Sequence, residues 1–298
     1  MSITSRRVTS SFAALAVAAG LLAGGCGSSK SNPTSPSPPP TAGSAVVYSA
    51  LGASDAAGVG SSAPCMLFAE CPDGMGYVPR IVRDLKTKGS TVRLQNLGIP
   101  AAVLSQRIQT LGEQYGRTIP ANFIEQEMPF VLRDATLVTV FAGANDVNAI
   151  GAAVVGGAGG SDPNGYVDQQ VRAFGDDYKV LLDGIRARAP SARIVVANLP
   201  NMGTMPYASG YSASRRRLLQ KASVGITTQV INPLAGQGIP VVDLMCDSRY
   251  ITKSYLSSDG FHPNDSGYAA LAADFLEAIR SSSAPAPPSS CNQMTAVR

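Results

Sequence analysis

Hydrophobic positions in the middle of the chain follow two alternating patterns. Short runs rich in Val, Ile and Leu are followed by longer stretches in which apolar residues recur every three or four positions. The short runs predict strands and the longer stretches predict amphipathic helices. The predicted strands are Ala45–Ala53, Thr91–Leu97, Thr136–Ala142, Arg193–Leu199 and Pro240–Leu244, and the predicted helices are Tyr77–Lys88, Ala101–Tyr115, Tyr166–Arg188, Ala213–Asn232 and Asp265–Arg280.

This alternation predicts an α/β fold with a parallel sheet of about five strands and helices on both faces. In such sheets the reactive loops gather at the carboxyl ends of the strands. Four polar or glycine-containing segments follow predicted strands or precede a predicted helix, namely Gly52-Ala53-Ser54-Asp55, Asn96-Leu97-Gly98, Gly143-Ala144-Asn145-Asp146 and Asp259-Gly260-Phe261-His262. They can therefore converge on one site.

Each segment taken alone also has a purely structural interpretation. Ser54 or Asp55 can cap a helix that follows the first strand, and His262 can be incidental to the cap of the last helix. Gly98 can supply a positive backbone angle, and Asn145 can form an Asx turn. Their joint occurrence, in this order and at strand ends, favours a shared site.

Together the four segments resemble the sequence blocks of the SGNH hydrolases, also called GDSL-type esterases and lipases. The resemblance covers Val46 to about Arg280 and includes the run Asn198–Gly203. It implies a flavodoxin-like three-layer α/β/α sandwich. It also implies a serine esterase or lipase that hydrolyses acyl or acetyl esters through an acyl-enzyme intermediate, with no metal and no organic cofactor.

The resemblance assigns a role to each site residue. Ser54 would be the nucleophile, His262 its general base and Asp259 the group that orients the histidine. The oxyanion hole would use the backbone N–H groups of Ser54 and Gly98 and the side-chain amide of Asn145. The chemistry fits, because a serine hydroxyl needs a base to take its proton and His262 is the only histidine in the chain.

One departure from the family pattern concerns the turn around the serine. The family is named for Gly-Asp-Ser-Leu, whereas here Ala53 precedes the serine and Asp55 follows it. How the turn is braced, and whether Asp55 caps the following helix instead, stays open at this point. The Gly-, Ala- and Val-rich run from Val147 to Gly160 is interpreted as a flexible surface loop; an alternative places it over the acyl side of the substrate pocket.

Two other functional classes compete with this interpretation. The α/β-hydrolase fold also orders its triad as serine, acid, histidine, but its Gly-x-Ser-x-Gly motif is interrupted here by Ala56. A non-catalytic, surface-anchored binding module on a hydrolase scaffold would be expected to lack a catalytic residue. All the expected catalytic residues are present.

The N-terminal region resembles a bacterial lipoprotein signal. Residues 1–25 combine Arg6 and Arg7 with a short apolar stretch and small residues before Cys26, which would be acylated. An ordinary secretory signal is the alternative, and both predict export; the lipoprotein version anchors the protein to the membrane of the cell envelope. The predicted organisation continues with a Ser/Pro-rich tether at 26–43, the hydrolase domain at 44–281 and a Pro/Ser-rich tail at 282–298.

Four further cysteines suit an oxidising compartment. The proximity of Cys65 and Cys71 favours pairing between them, which leaves Cys246 with Cys291, although sequence alone does not choose among the three possible pairings. A zinc site is disfavoured by the single histidine and the absence of a Cys-x-x-Cys motif. The net charge of +4, or +2 without the two N-terminal arginines, gives no reason to invoke nucleic acid.

Overall fold

Five parallel strands form one sheet in the computed structural model, which describes residues 37–65 and 71–297. The strands are β1 (Ala45–Gly52), β2 (Thr91–Asn96), β3 (Leu137–Phe141), β4 (Arg193–Ala197) and β5 (Val241–Val242). Their order across the sheet is β2-β1-β3-β4-β5, and every neighbouring pair is parallel. The predicted α/β fold with a central five-stranded parallel sheet is confirmed.

Among the described residues, six α-helices flank this sheet: α1 (Tyr77–Thr87), α2 (Gln106–Gln114), α3 (Ala144–Val155), α4 (Pro163–Arg188), α5 (Ala213–Ile226) and α6 (Asp265–Arg280). Helix α1 packs against α6, where the rings of Tyr77 and Phe275 stack with centroids 4.9 Å apart. Helices α2 to α5 pack on one another. Strands β3 and β4 are buried along their whole length, as strands covered on both faces should be.

The structure answers one open question and corrects one local prediction. No helix follows β1 directly; the chain passes through a series of turns, so Asp55 does not cap a helix there. The run Val147–Gly160 is not a flexible loop over most of its length, because α3 extends to Val155. This helix is apolar on nearly all sides and mostly buried, so its sequence shows no amphipathic period.

Two disulfides confirm the pairing that proximity favoured. Cys65 is bonded to Cys71 and Cys246 to Cys291, with Cα atoms 5.8 and 5.7 Å apart. Near the second disulfide, the Asn201 side chain donates to the carbonyl oxygen of Gln293 at 2.6 Å, which holds the C-terminal segment against the loop after β4.

The N-terminal predictions fall largely on residues that the structure does not describe. The signal segment, Cys26 and the tether up to residue 36 lie outside the described residues. Within residues 37–65 and 71–297, none of the helices combines the length and apolar character needed to cross a bilayer.

Candidate active site

Three side chains from opposite ends of the domain meet in a hydrogen-bonded series. The Oγ atom of Ser54 lies 2.8 Å from Nε2 of His262, and Nδ1 of the same ring lies 2.6 Å from Oδ2 of Asp259. Ser54 is 5% exposed and the side chain of His262 is 16% exposed. The hydroxyl and the imidazole, 208 positions apart in sequence, therefore share one partly enclosed site.

The turns after β1 present Ser54 to the histidine. The N–H of Gly58 donates to the Asp55 carbonyl oxygen at 3.0 Å, and the N–H of Val59 donates to the Ser54 carbonyl oxygen at 2.9 Å. Gly60 has a φ of +94°, and a Cβ atom there would lie 2.7 Å from the Cβ of His262. Only glycine allows the turn that contains Ser54 to pass this close to the histidine.

Asp259 is held by a dense set of donors. Its Oδ1 accepts hydrogen bonds from the Ser257 hydroxyl at 2.7 Å, the Phe261 N–H at 2.8 Å and the His262 N–H at 2.9 Å. Burial raises the pKa of this carboxyl, but the hydrogen bonds from the His262 ring and these neighbours outweigh burial and lower the pKa to about 2. The aspartate stays ionised and fixes the orientation of the imidazole.

Helix α6 begins at Asp265, three residues after the histidine, and is capped by Asn264. The Oδ1 atom of Asn264 accepts from the N–H groups of Ser266 and Gly267, at 2.9 and 3.0 Å. Its amide donates to the carbonyl oxygen of Leu256 at 3.0 Å. Because Asn264 carries out the capping, the side chain of His262 is free to face Ser54.

Gly98 packs directly against the turn that contains Ser54. A Cβ atom on it would lie 2.7 Å from the Cβ of Ala56 and 2.9 Å from the N atom of Ala57. Its φ is not positive, so close approach requires this glycine rather than the unusual backbone angle that the sequence suggested. The Gly98 N–H donates to Oδ1 of Asn96 at 3.1 Å. The amide group of the same Asn96 side chain donates to the Ala56 carbonyl oxygen at 2.9 Å.

Asn145 is the second residue of α3 and does not form the Asx turn of the structural interpretation. Gly143, with a φ of +120°, turns the chain sharply from β3 into this helix. The Nδ2 atom of Asn145 donates to the Ala102 carbonyl oxygen at 3.0 Å. Since an amide nitrogen carries two hydrogens, a second donor is available to a ligand.

The next residue, Asp146, ties α3 to the loop after β2. Its Oδ1 accepts from the Leu104 N–H at 3.0 Å. Burial raises the pKa of this carboxyl to about 7, although the Leu104 hydrogen bond favours the ionised form. The native state binds this proton more tightly than the unfolded chain does, so the contribution to stability is complete below about pH 4 and is lost as the pH rises to about 7.

We therefore expect Asp146→Asn to be more stable than the wild type at pH 8 and to lose that advantage at pH 4. Asparagine keeps the acceptor for the Leu104 N–H but cannot ionise. The difference in Tm between the two proteins should widen by roughly 5 °C or more over this range. Asp73→Asn, at an exposed position, is the control. Parallel melting profiles for Asp146→Asn and wild type would contradict the assignment.

Two carboxyls near Ser54 are buried, and the sequence analysis did not predict their burial. Burial raises the pKa of Asp55, partly countered by the charge of His262. Glu127 is fully buried, and its Oε2 accepts from the Gly52 N–H at 3.1 Å. The segment Phe123-Ile124-Glu125-Gln126-Glu127 has the polarity of a solvated helix face, so no local signal marks Glu127 as buried.

A small apolar pocket of about 20 Å³ lies beside the site. Its walls include Asp55, Ala144 and Phe261, the sequence neighbours of the serine, the asparagine and the histidine. The remaining walls are mostly apolar and include Phe141, Met202, Met205 and Leu244. A larger surface groove of about 830 Å³ runs between β5 and α6, and none of the candidate catalytic residues lines it.

A parallel α/β sandwich with serine, histidine and aspartate bonded in series has the arrangement used by serine hydrolases. Residues 50–270 match the GDSL-like Lipase/Acylhydrolase family. The chain belongs to this family, as the sequence blocks predicted.

Solved structures share this fold. The lipase Lip_vut3 from a goat rumen metagenome is 21% identical, with 78% of this chain and 97% of that chain covered and a TM-score of 0.52. The extracellular lipase of Streptomyces rimosus is 18% identical, with coverage of 80% and 100% and a TM-score of 0.54. At these identities the similarity establishes the fold alone. No curated protein matches the sequence.

Proposed function

We propose that this protein is a serine esterase that hydrolyses carboxylic esters through an acyl-enzyme intermediate. The observation that carries the proposal is the contact of 2.8 Å between Ser54 Oγ and His262 Nε2, together with the contact of 2.6 Å between His262 Nδ1 and Asp259 Oδ2. Membership of the GDSL-like Lipase/Acylhydrolase family favours an SGNH-type esterase over an esterase with the α/β-hydrolase fold.

The reaction follows from the order of these contacts. His262 takes the proton of Ser54 as Oγ attacks the ester carbonyl carbon, and Asp259 stabilises the imidazolium that forms. The tetrahedral intermediate collapses when His262 gives the proton to the departing alcohol. Water, deprotonated by the same imidazole, then attacks the acyl-enzyme, and release of the acid restores the Ser54 hydroxyl.

The proposed oxyanion hole consists of the Ser54 N–H, the Gly98 N–H and the Asn145 amide. The Gly98 N–H donates to Asn96 Oδ1, so the oxyanion would compete with that acceptor. A charged oxygen forms the stronger hydrogen bond. The Asn145 amide keeps one bond to Ala102, which fixes its direction while the second hydrogen serves the oxyanion.

We expect Asn145→Ala to lower kcat by roughly 10²- to 10³-fold with little change in KM, because the lost donor acts on charge that develops in the transition state. Steady-state hydrolysis of p-nitrophenyl acetate measures both constants. Asn148→Ala, one turn further along α3, is the matched control and should retain more than about a third of the turnover. Equal losses in both variants would instead indicate damage to α3.

The pocket beside the site supports a preference for short acyl groups. Its volume of about 20 Å³ is enough for about one water-sized group, so this pocket has no room for a long chain. Turnover should therefore fall from p-nitrophenyl acetate and butyrate to the octanoate and palmitate esters. A maximum at palmitate would contradict the short-acyl assignment while leaving the esterase proposal intact.

Labelling with a fluorophosphonate tests the proposal against that of a non-catalytic binding module. The reagent phosphonylates an activated serine, so intact-mass analysis should show a single adduct that maps to Ser54. A wild-type protein that is neither labelled nor active on any of the esters would overturn the esterase proposal in favour of the binding module.

We further propose that the protein is exported and anchored through a lipid on Cys26. The two disulfides support export, since such bonds persist in oxidising compartments. Metabolic incorporation of an alkyne fatty acid into the full-length chain, with Cys26→Ser as control, tests acylation. Secretion of an unlabelled protein would support the ordinary secretory signal instead.

A further inference from the structure

Glu127 contacts the end of β1, just before the turn that contains Ser54, from a segment that is held by its own hydrogen bonds. It ends a single π-helical turn, Phe123–Glu127, in which Asn122 caps the N–H of Glu125 at 2.9 Å. The N–H of Phe123 donates to the Val103 carbonyl oxygen at 2.9 Å, in the loop that follows β2. The position of Glu127 is therefore fixed relative to that loop.

The carboxyl of Glu127 takes the place of a missing strand partner. Strand β2 ends at Asn96, and beyond it the N–H of Gly52 donates to Glu127 Oε2 at 3.1 Å rather than to a neighbouring strand. The carbonyl oxygen of Gly52 accepts from the Ile99 N–H at 3.2 Å. The N–H and the carbonyl oxygen of Gly52, two residues before the nucleophile, are thus both held by groups outside β1.

The same contacts connect the two backbone donors of the proposed oxyanion hole. Gly52 precedes Ser54 by two residues, and Ile99 directly follows Gly98. A shift at Gly52 would move the Ser54 N–H relative to the Gly98 N–H. Because Ala53 stands where the family motif has an aspartate, the aspartate side chain of that motif is absent from this turn.

Burying this carboxyl is energetically unfavourable. Glu127 is 0% exposed, and Oε1 has no hydrogen-bond partner among the described residues. Burial raises its pKa well above the ordinary value, and the hydrogen bond from the Gly52 N–H offsets this only in part. An apolar side chain of similar size would avoid the penalty, so an acid here requires a compensating role.

We propose that Glu127 is a positioning residue for the reaction: its carboxyl replaces the aspartate of the family motif and holds the Ser54 and Gly98 N–H groups in register toward the oxyanion. The inference rests on the proposed esterase function. It is distinct from a general contribution to stability, because it predicts a loss in kcat that follows the hydrogen-bond acceptor and not the melting temperature.

Three variants, compared with the wild type on p-nitrophenyl acetate, test this role. Glu127→Met keeps the approximate volume but removes the acceptor oxygen, and should lower kcat about 10- to 100-fold with KM within about threefold. Glu127→Gln restores a neutral acceptor and should recover most of that loss. Ser49→Ala is the control, on β1 like Gly52. It removes a different buried acceptor, the one for the Leu132 N–H at 3.1 Å, and its kcat should stay within about threefold of the wild type.

Melting curves and a fourth variant keep the outcomes distinct. If Glu127→Met does not fold, Glu127→Asp, which withdraws the carboxyl by one methylene, should fold and show the same selective loss in kcat. Wild-type kcat in a folded Met or Asp variant, or equal losses in the Met and Gln variants, would overturn the inference. Absence of activity in the wild type would count against the esterase proposal instead.

Discussion

Ser54→Ala is expected to lower kcat on p-nitrophenyl acetate by at least about 10⁴-fold and to abolish labelling by a fluorophosphonate. Alanine removes the only atom that can form the acyl-enzyme, while the donors of the proposed oxyanion hole stay in place. Residual hydrolysis would come from binding and electrostatic stabilisation of water attack. The melting temperature should change little, because the hydroxyl contacts only His262 Nε2 among the interactions described.

A neighbouring serine supplies the matched control for this variant. Ser61 lies in the same run of turns and donates its hydroxyl proton to the Gly58 carbonyl oxygen at 2.7 Å. Ser61→Ala should remain labelled and retain activity within about threefold of the wild type. Adduct formation at any residue other than Ser54, or turnover that survives in Ser54→Ala, would place the nucleophile elsewhere.

The architecture was predictable because its signals are local. Helix α1 buries one stripe of side chains at helical spacing, and strands β3 and β4 are continuous apolar runs. Parallel connection of such elements places the carboxyl ends of neighbouring strands together. That step alone predicts that Ser54 and the Asn145 segment lie at one edge of the sheet.

The contacts that were not predictable depend on tertiary structure. Helix α3 is buried on most sides, so it lacks the polar stripe that reveals other helices. Glu127 sits beside Gln126 and near Glu125, and nothing in their spacing distinguishes the buried acid from an exposed one. The reason for Gly98 is a contact with Ala56, 42 positions away, which no backbone propensity reports.

The carboxyls around the site divide into two electrostatic classes. Asp259 accepts three hydrogen bonds at Oδ1, is 47% exposed, and has its pKa lowered to about 2. Asp146 and Glu127 are buried with few donors, and burial raises the pKa of each. Only the first environment maintains a charge that can stabilise an imidazolium, which is why Asp259 suits the proposed orienting role and the buried acids suit roles that need a hydrogen-bond acceptor but no charge.

His262→Ala is expected to reduce kcat/KM on the same ester by at least about 10⁴-fold, because no other imidazole exists in the chain to accept the proton of Ser54. Added imidazole should restore part of the activity with saturation, since the vacated space lies directly beside Ser54 Oγ. Asp259→Asn should cost up to about 10⁴-fold by favouring the wrong tautomer of the ring, and imidazole should not rescue it.

The single histidine makes this prediction unusually direct to verify. In His262→Ala any added imidazole is the only imidazole present, so the rescue reports on that ring alone. Substantial activity of His262→Ala without added imidazole would separate this side chain from the chemistry despite its 2.8 Å contact with the serine.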